Sequence, residues 1–378
     1  MSLRTDSRVG SAARTFVQVT SDPALFRSLA PAWNELWEVS EAGMMTTSHA
    51  FLRSWWDTYG AGKHFLALLV WEGDVLVAAL MLLRKRRGAG PLQLRILRGF
   101  GPWHSGGRNG ILHRPGRVDA VQAILETLED LPGWDVAILG RLEEQWEQTG
   151  VLRRARLPST LIPHPALAQI ELHGSYATFL AARSGRFRAE LRRRDRRRQE
   201  HGGFRIEVRR GGEVDAEAFE RMAAIDRDSW KGESIVGVAA PERLAFFRRF
   251  LGAAAELGWP RLYFLQHHGR DAAFAMMIDA GSTTVGFKMS YRPEYAAFSP
   301  GGLLQQRAIE DSFESGLKRL DFFSPPTNAF HRAWHDTLAT QVEVELYRRT
   351  APGLGLWLAR RARPPRNREP VVESGDTE

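Results

Sequence analysis

Hydrophobic positions in this chain switch repeatedly between a helical and a strand period, and the switches mark out the elements. Leu25, Leu29, Trp33, Leu36 and Trp37 recur at core spacing and predict an amphipathic helix over Pro23–Val39. A second helix starts at Ser48 and ends near Gly60. The next two apolar runs, His64–Trp71 and Val75–Leu83, read as strands joined by a tight turn at Glu72-Gly73-Asp74. Arg84–Gly90 reads as a basic turn and Leu92–Leu97 as another strand. Gly99–Arg117 is a polar, glycine-rich loop, long enough to line a site. A helix over Val118–Leu131, a buried strand over Trp134–Leu139 and a short helix over Leu142–Gly150 follow. Arg153–Pro165 is a proline-containing crossover, which places a boundary near residue 165.

Beyond that boundary, Ala168–Leu172 reads as a strand and Ser175 opens a helix. Arg183–Glu200 is an arginine-rich helix with a single apolar stripe at Phe187 and Leu191. A strand over Gly203–Arg210, helices over Asp215–Trp230 and Pro241–Leu257, and a hairpin of Trp259–His267 with Ala272–Ala280 come next. Val285–Tyr291 alternates as a strand, Ser299-Pro300-Gly301-Gly302 opens a helix carrying Ile309, Phe313 and Leu317, and Leu320–Phe323 is a buried strand. Gln341–Tyr347 reads as a strand that closes this half. Together these predict an α/β (α+β) architecture of mixed sheets flanked by helices.

Strand, glycine-containing helix start, helix, strand is an order that presents backbone N–H groups and a helix dipole to an anion such as a pyrophosphate. Ser299 is a suitable N-cap through its hydroxyl, Pro300 has no N–H to leave unsatisfied, and Gly301 and Gly302 admit a ligand close to the backbone. The residues Tyr291, Tyr295, Ser299-Pro300-Gly301, Leu303-Leu304, Gly316 and Asp321-Phe322 resemble the acyl-CoA-binding core of the GNAT N-acetyltransferase superfamily. More narrowly, the pattern is similar to the CelD-like (cellulose biosynthesis protein) group, which is related to FemAB-like transferases. The likeness runs back through most of residues 48–335, including Ser54-Trp55-Trp56, the Gly73-Asp74 turn and Asp228-Ser229-Trp230-Lys231-Gly232.

That resemblance implies a tandem GNAT-like fold: a degenerate N-terminal half over 16–165 and an acyltransferase half over 166–350, with the site between them. Residues 1–15 are expected to be disordered and 351–378 to form a C-terminal helix and a disordered tail. It also implies acetyl-CoA or another acyl-CoA as co-substrate, held by Ser299, Pro300, Gly301, Gly302 and Leu303. The acceptor would be a small molecule or saccharide, an amino sugar or cell-envelope polysaccharide precursor, offering an amine or hydroxyl. Trp55, Arg188, Trp230, Lys231, Lys288 and Asn328 are the expected acceptor-side contacts.

Amide formation from a thioester needs a base near the attacking amine. Asp321 is the first candidate, since burial beside two phenylalanines raises a carboxyl pKa, and Glu294 the second. A capping or ion-pairing role for Asp321 fits the sequence equally well. Tyr291 and Tyr295 could protonate the leaving thiolate or simply pack. Where the family often has Tyr-Lys, this chain has Phe330-His331, so His331 is placed to take over the polar role. That departure keeps open a non-catalytic partner in polysaccharide biosynthesis, and FemAB-like proteins, whose donor is aminoacyl-tRNA, keep open a second donor.

Composition narrows these classes. The 378 residues include no cysteine, which removes disulfides, thiolate nucleophiles and cysteine zinc sites and fits a cytoplasmic setting. His331 and His335 stand at HxxxH spacing, but the glutamate of a zinc motif is replaced by Arg332, so no metal is expected. Lys and Arg total 52 against 44 Asp and Glu, a net charge of +8 that suits anionic ligands. The Arg183–Glu200 helix has few interleaved aromatics and no preceding helix-turn-helix, which speaks against DNA and disfavours RNA. The longest apolar run, 75–83, is too short to span a bilayer, and Leu354, Leu356, Trp357 and Leu358 are expected to pack on the domain rather than insert stably.

Overall fold

Pro31 breaks the first predicted helix. With no N–H, and with its ring set against the carbonyl of Arg27, it can stand only in the first turn of a helix. The chain accordingly forms α1 (Pro23–Ser28) and then α2 (Ala30–Val39). A computed structural model describes residues 15–90, 93–100, 107–229, 237–238, 241–326 and 329–362, and the backbone of 3–6. Before α1, Leu3–Asp6 (β1), expected to lie outside the fold, pairs antiparallel with β2 (Thr15–Thr20). After α2 come α3 (His49–Tyr59), β3 (His64–Glu72), β4 (Val75–Arg87), β5 (Leu94–Gly99), β6 (Leu112–His113), α4 (Val118–Asp130), β7 (Val136–Glu143) and α5 (Glu147–Arg153). The basic stretch read as a turn extends β4 instead, because Arg84–Arg87 pair residue by residue with Leu94–Leu97. The helix expected at Leu142 begins later, where Glu41 accepts the N–H groups of Glu147 and Gln148 at 2.9 and 3.1 Å.

The predicted crossover is a strand. Pro163 and Pro165 lie inside β8 (Ser159–Glu171). Residues two apart in a strand face the same way, so both missing donors fall on one edge and leave the other able to pair. Then follow α6 (Tyr176–Ala181), α7 (Gly185–His201), β9 (Phe204–Arg210), α8 (Ala216–Arg227), α9 (Pro241–Glu256), β10 (Pro260–His267), β11 (Arg270–Ala280), β12 (Thr283–Tyr291), α10 (Pro300–Glu314), β13 (Arg319–Asp321), α11 (Ala329–Trp334), β14 (Thr337–Tyr347) and α12 (Ala351–Arg361).

The chain divides into two compact units, residues 1–165 with 340–371, and residues 166–339. In the first, the strand order is β1-β2-β3-β4-β5-β7-β14, antiparallel except for the parallel step from β5 to β7. In the second, the order is β8-β13-β12-β11-β10-β9, antiparallel except for the parallel step from β12 to β13. Gln341–Tyr347 therefore closes the first unit against β7 rather than the second. The place beside β13 is taken by Gln169–Glu171 of β8.

Helices cover both faces of the second unit's sheet. On one face Leu304, Ala308 and Ile309 of α10 share a core with Phe187 and Leu191 of α7, Leu265, Ala275 and Met277. On the other, Phe247 and Phe250 of α9 meet Phe287 of β12 with ring centroids 5.8 and 5.9 Å apart. A buried polar network fixes the far part of α10. The Tyr263 hydroxyl donates to Asp311 at 3.0 Å, and Arg261 donates to Ser312 and Thr284, each at 3.0 Å. A buried charge and phenol are stable here because each finds partners.

Candidate active site

The sequence Ser299-Pro300-Gly301-Gly302 does start a helix, but Ser299 works through its backbone. It sits in the left-handed region at φ 51°, ψ 54°, its hydroxyl makes no cap, and its carbonyl accepts Leu303 N–H at 3.1 Å. The expected hydroxyl cap is absent because the left-handed residue turns its side chain away from the first-turn amides. Pro300 offers no donor, and Ser299 N–H is spent on the Ala296 carbonyl. Gly301 and Gly302 N–H are thus left at the positive end of a fifteen-residue helix with no protein acceptor among the described residues.

Among the described residues, the strand leading into this helix start is open along one edge. β12 pairs with β11 along its length, but with β13 only at Thr283, Thr284 and Val285. From Gly286 to Tyr291 the second edge has left its parallel partner, and alternate residues there present N–H and C=O outward. A register shift opposite Met276/Met277 makes Phe287 an extra residue. Both Phe287 and Lys288 then face α9: the Lys288 ammonium lies 5.5 Å from the Phe247 ring and 5.7 Å from the Phe287 ring. Met289 returns to the α10 face beneath Gly301.

The proposed acid and base residues fall in different environments. Asp321 is buried, and its oxygens are engaged: Oδ2 accepts from Gln169 Nε2 at 3.0 Å and Oδ1 from Phe323 N–H at 2.7 Å. The second bond closes an Asx turn onto Phe323, itself left-handed at φ 56°, and so ends β13 after Asp321 instead of Phe323. Glu294 is exposed and paired with Arg270 at 3.1 Å. Tyr291 is half-buried at the end of β12 and Tyr295 is buried with its ring edge-on to His267, 5.6 Å between centroids. Neither phenol has a hydrogen-bond partner among the described residues, so both are available to a ligand.

The remaining predicted contacts are scattered. Arg188 caps α6, donating to the Ala181 carbonyl at 2.7 Å. Trp55 is buried in the first unit against Phe100, at 5.1 Å between centroids. Trp230, Lys231 and Asn328 lie outside the described residues, as does the side chain of His331.

A cleft of roughly 340 Å³ adjoins the α10 start, lined by Arg198 and Gln199 of α7, Gly203, Phe204, Leu265 and Leu303. Arg198 is buried, pairs with Asp195 and reaches the Phe298 carbonyl at 3.5 Å. His267 stacks on Phe204 at 4.3 Å. Its partial burial, with His268 and His201 nearby, holds the imidazole below its ordinary pKa and hence neutral at pH 7. The sequence gives no sign of His267, of the bulge at Phe287 or of a buried glutamine, Gln305, whose Nε2 has no partner among the described residues. A hairpin histidine and a helical glutamine carry no pattern that announces a site. Among the described residues no group of His, Asp and Glu is arranged to hold a metal ion, and no helix is long and apolar enough to cross a membrane.

Residues 185–331 match the family model described as an acetyltransferase (GNAT) domain. No curated protein matches the chain. Among solved structures, FemX is similar with a TM-score of 0.60 at 12% identity, covering 87% of this chain and 98% of that one. The C-terminal domain of a putative lysylphosphatidylglycerol synthetase from Agrobacterium fabrum is similar with a TM-score of 0.54 at 12% identity, covering 89% and 96%. L-PGS from Bacillus licheniformis is similar with a TM-score of 0.50 at 12% identity, covering 94% and 98%. At such identities the likeness is one of fold, and the fold is the mixed α/β one that the sequence pattern predicts and the GNAT-like one that the resemblance implies.

Proposed function

We propose that this chain is a GNAT-type acyltransferase that moves an acyl group, acetyl in the simplest case, from acyl-CoA to an amine or hydroxyl of a small molecule. One observation carries the reading. Within the segment that matches the GNAT domain model, the unpartnered amides of Gly301 and Gly302 stand beside the open edge of β12. The amides suit the donor's pyrophosphate, and the strand edge suits its extended arm.

The chemistry then follows from the strand. An N–H on the open edge of β12 hydrogen-bonds the thioester carbonyl and gains strength as negative charge develops on that oxygen. The acceptor nitrogen or oxygen attacks the carbonyl carbon, the new C–N or C–O bond forms, and the C–S bond breaks. Tyr291, at the end of the same strand and without a hydrogen-bond partner among the described residues, gives its proton to the thiolate, and the proton shed by the acceptor nitrogen or oxygen passes through solvent water to restore the phenol. Asp321 positions the strand end rather than the proton, since both its oxygens are already occupied. A placement in the CelD-like group, a cytoplasmic setting, and an amino sugar or polysaccharide precursor as acceptor belong to the same reading.

A second donor is favoured by one specific feature, the row of exposed arginines Arg186, Arg192, Arg196 and Arg197 on α7. Such a row suits an RNA backbone, and with it an aminoacyl-tRNA donor. The test is release of free thiol from acetyl-CoA and longer acyl-CoAs in the presence of a panel of amino sugars, amines and alcohols. Acceptor-dependent thiol release supports the acyl-CoA reading. Absence of release with every pair, together with tRNA binding that weakens steeply with salt, would replace it with the second.

A further inference from the structure

Gln305 is a buried amide with an unused donor. Only 7% of it is exposed, and Nε2 has no hydrogen-bond partner among the described residues. Leaving such a group without an acceptor costs about 1–3 kcal/mol, so its presence in a helix packed on the core needs a reason.

Its place on α10 supplies one. At 3.6 residues per turn, Gln305 falls within about 20° of Ser312 and about 40° of Gly301 around the helix. Both neighbours on that face touch β12 or its partners. A Cβ on Gly301 would lie 2.9 Å from Met289 Sδ, and Ser312 shares the Arg261 guanidinium with Thr284. Gln305 is therefore carried over β12 between Thr284 and Met289, the stretch where pairing with β13 stops. Opposite it stands Gly286. A Cβ there would meet the Asp321 carbonyl and Phe322 Cα at 3.7 Å and Met277 Cε at 3.9 Å, ordinary contact distances, so the glycine leaves the space of one missing side chain on the α10 face of β12.

We propose that Gln305 Nε2 donates to an amide carbonyl of the donor's arm as that arm passes between α10 and the open edge of β12. The inference rests on the acyl-CoA reading above and deepens it. The site is built for a thioester on an amide-bearing arm, and not for an aminoacyl ester, whose ribose has no amide to offer. The hydrogen bond holds in the ground state and the transition state alike, so its loss falls on KM and not on kcat.

The experiment compares the full chain with Q305L and Q305M, using acetyl-CoA and, separately, phenyl thioacetate, a thioester with no amide. For acetyl-CoA, KM rises about five- to tenfold in both variants while kcat stays within about twofold. With phenyl thioacetate the variants match the unchanged chain, and their melting temperatures do not fall. If KM for acetyl-CoA is unchanged while the melting temperature rises, Gln305 is only an unsatisfied core amide and the inference fails. If the unchanged chain binds no acyl-CoA at all, the underlying reading fails first and takes this inference with it.

Discussion

A Cβ placed on Gly301 would stand 2.9 Å from Met289 Sδ, so the first turn of α10 rests directly on the Met289 side chain of β12. The contact sets how near the two glycine amides come to the open strand edge. Gly301→Val should push the Met289 thioether aside, set a branched side chain beside the first-turn amides and weaken acyl-CoA binding by about tenfold. Gly212→Val, at a glycine with open space around it, should leave binding unchanged. Calorimetric titration of both variants checks this, with thermal melts to confirm that each is folded.

Asp321 separates a turn-forming role from a proton-transfer role. Asp321→Asn keeps an acceptor for Phe323 N–H, and the Gln169 amide can rotate to donate or accept as required. It should retain most of the turnover. Asp321→Ala strands two buried donors and should destabilise the chain by about 1–3 kcal/mol. Loss of turnover in a fully stable Asp321→Asn variant would show that the carboxylate is the base after all.

The two tyrosines should behave differently. Tyr291→Phe should lower kcat about tenfold with little change in KM, since only the phenol proton is removed. Tyr295→Phe keeps the ring packed edge-on to His267 and should be close to neutral. Steady-state kinetics with one acceptor at saturating donor distinguishes them.

In the first unit, His113 Nε2 lies 3.0 Å from Glu41 Oε1 and Nδ1 lies 3.0 Å from the Arg114 carbonyl. Burial alone would lower the imidazole pKa, but Glu41 and that carbonyl outweigh it and raise it above 6.5. Burial would likewise raise Glu41, yet His113 and the amides of Glu147 and Gln148 hold it below 4.5. The His113 contribution is complete below pH 6.5 and is lost as pH rises through its folded pKa. The Glu41 contribution is complete above pH 4.5 and is lost as pH falls through its own. The stability gap between the unchanged chain and His113→Gln should therefore be widest between about pH 4.5 and 6.5 and narrow on either side. Urea melts at pH 3.5, 5.5, 7.5 and 9 read it directly, and a gap that widens as pH rises from 5.5 to 9 would contradict the arrangement.

What the sequence made legible was local. The run from Val285 to Asp321 shows its strand, helix start and helix through period and through Pro300 and the glycines, because those signals act within a few residues. The Pro31 break between α1 and α2 rests on the same local grounds. Pairings between distant segments left no such trace. Nothing in Gln341–Tyr347 says that it joins β7, and nothing in Gln169–Glu171 says that it lies beside β13. The site was half legible for the same reason. Gly301 announces itself, whereas the bulge at Phe287 exists only in the register between two strands, and the value of Gln305 depends on what β13 leaves uncovered. Asp321 stood out as a buried carboxylate, but its partner Gln169 lies far back in the chain.

If the α10 start holds the donor, CoA affinity resides in the first-turn amides of Gly301 and Gly302. The measurement to make first is a calorimetric titration of the full chain with CoA, acetyl-CoA and pantetheine, alongside Gly302→Pro, which removes one first-turn donor at a position where a helix tolerates proline. Donor binding at the α10 start predicts micromolar affinity for both CoA species, much weaker binding of pantetheine, and a marked loss of CoA affinity in the variant. Equal binding of CoA by the variant, or no binding of any CoA species by the unchanged chain, would contradict it.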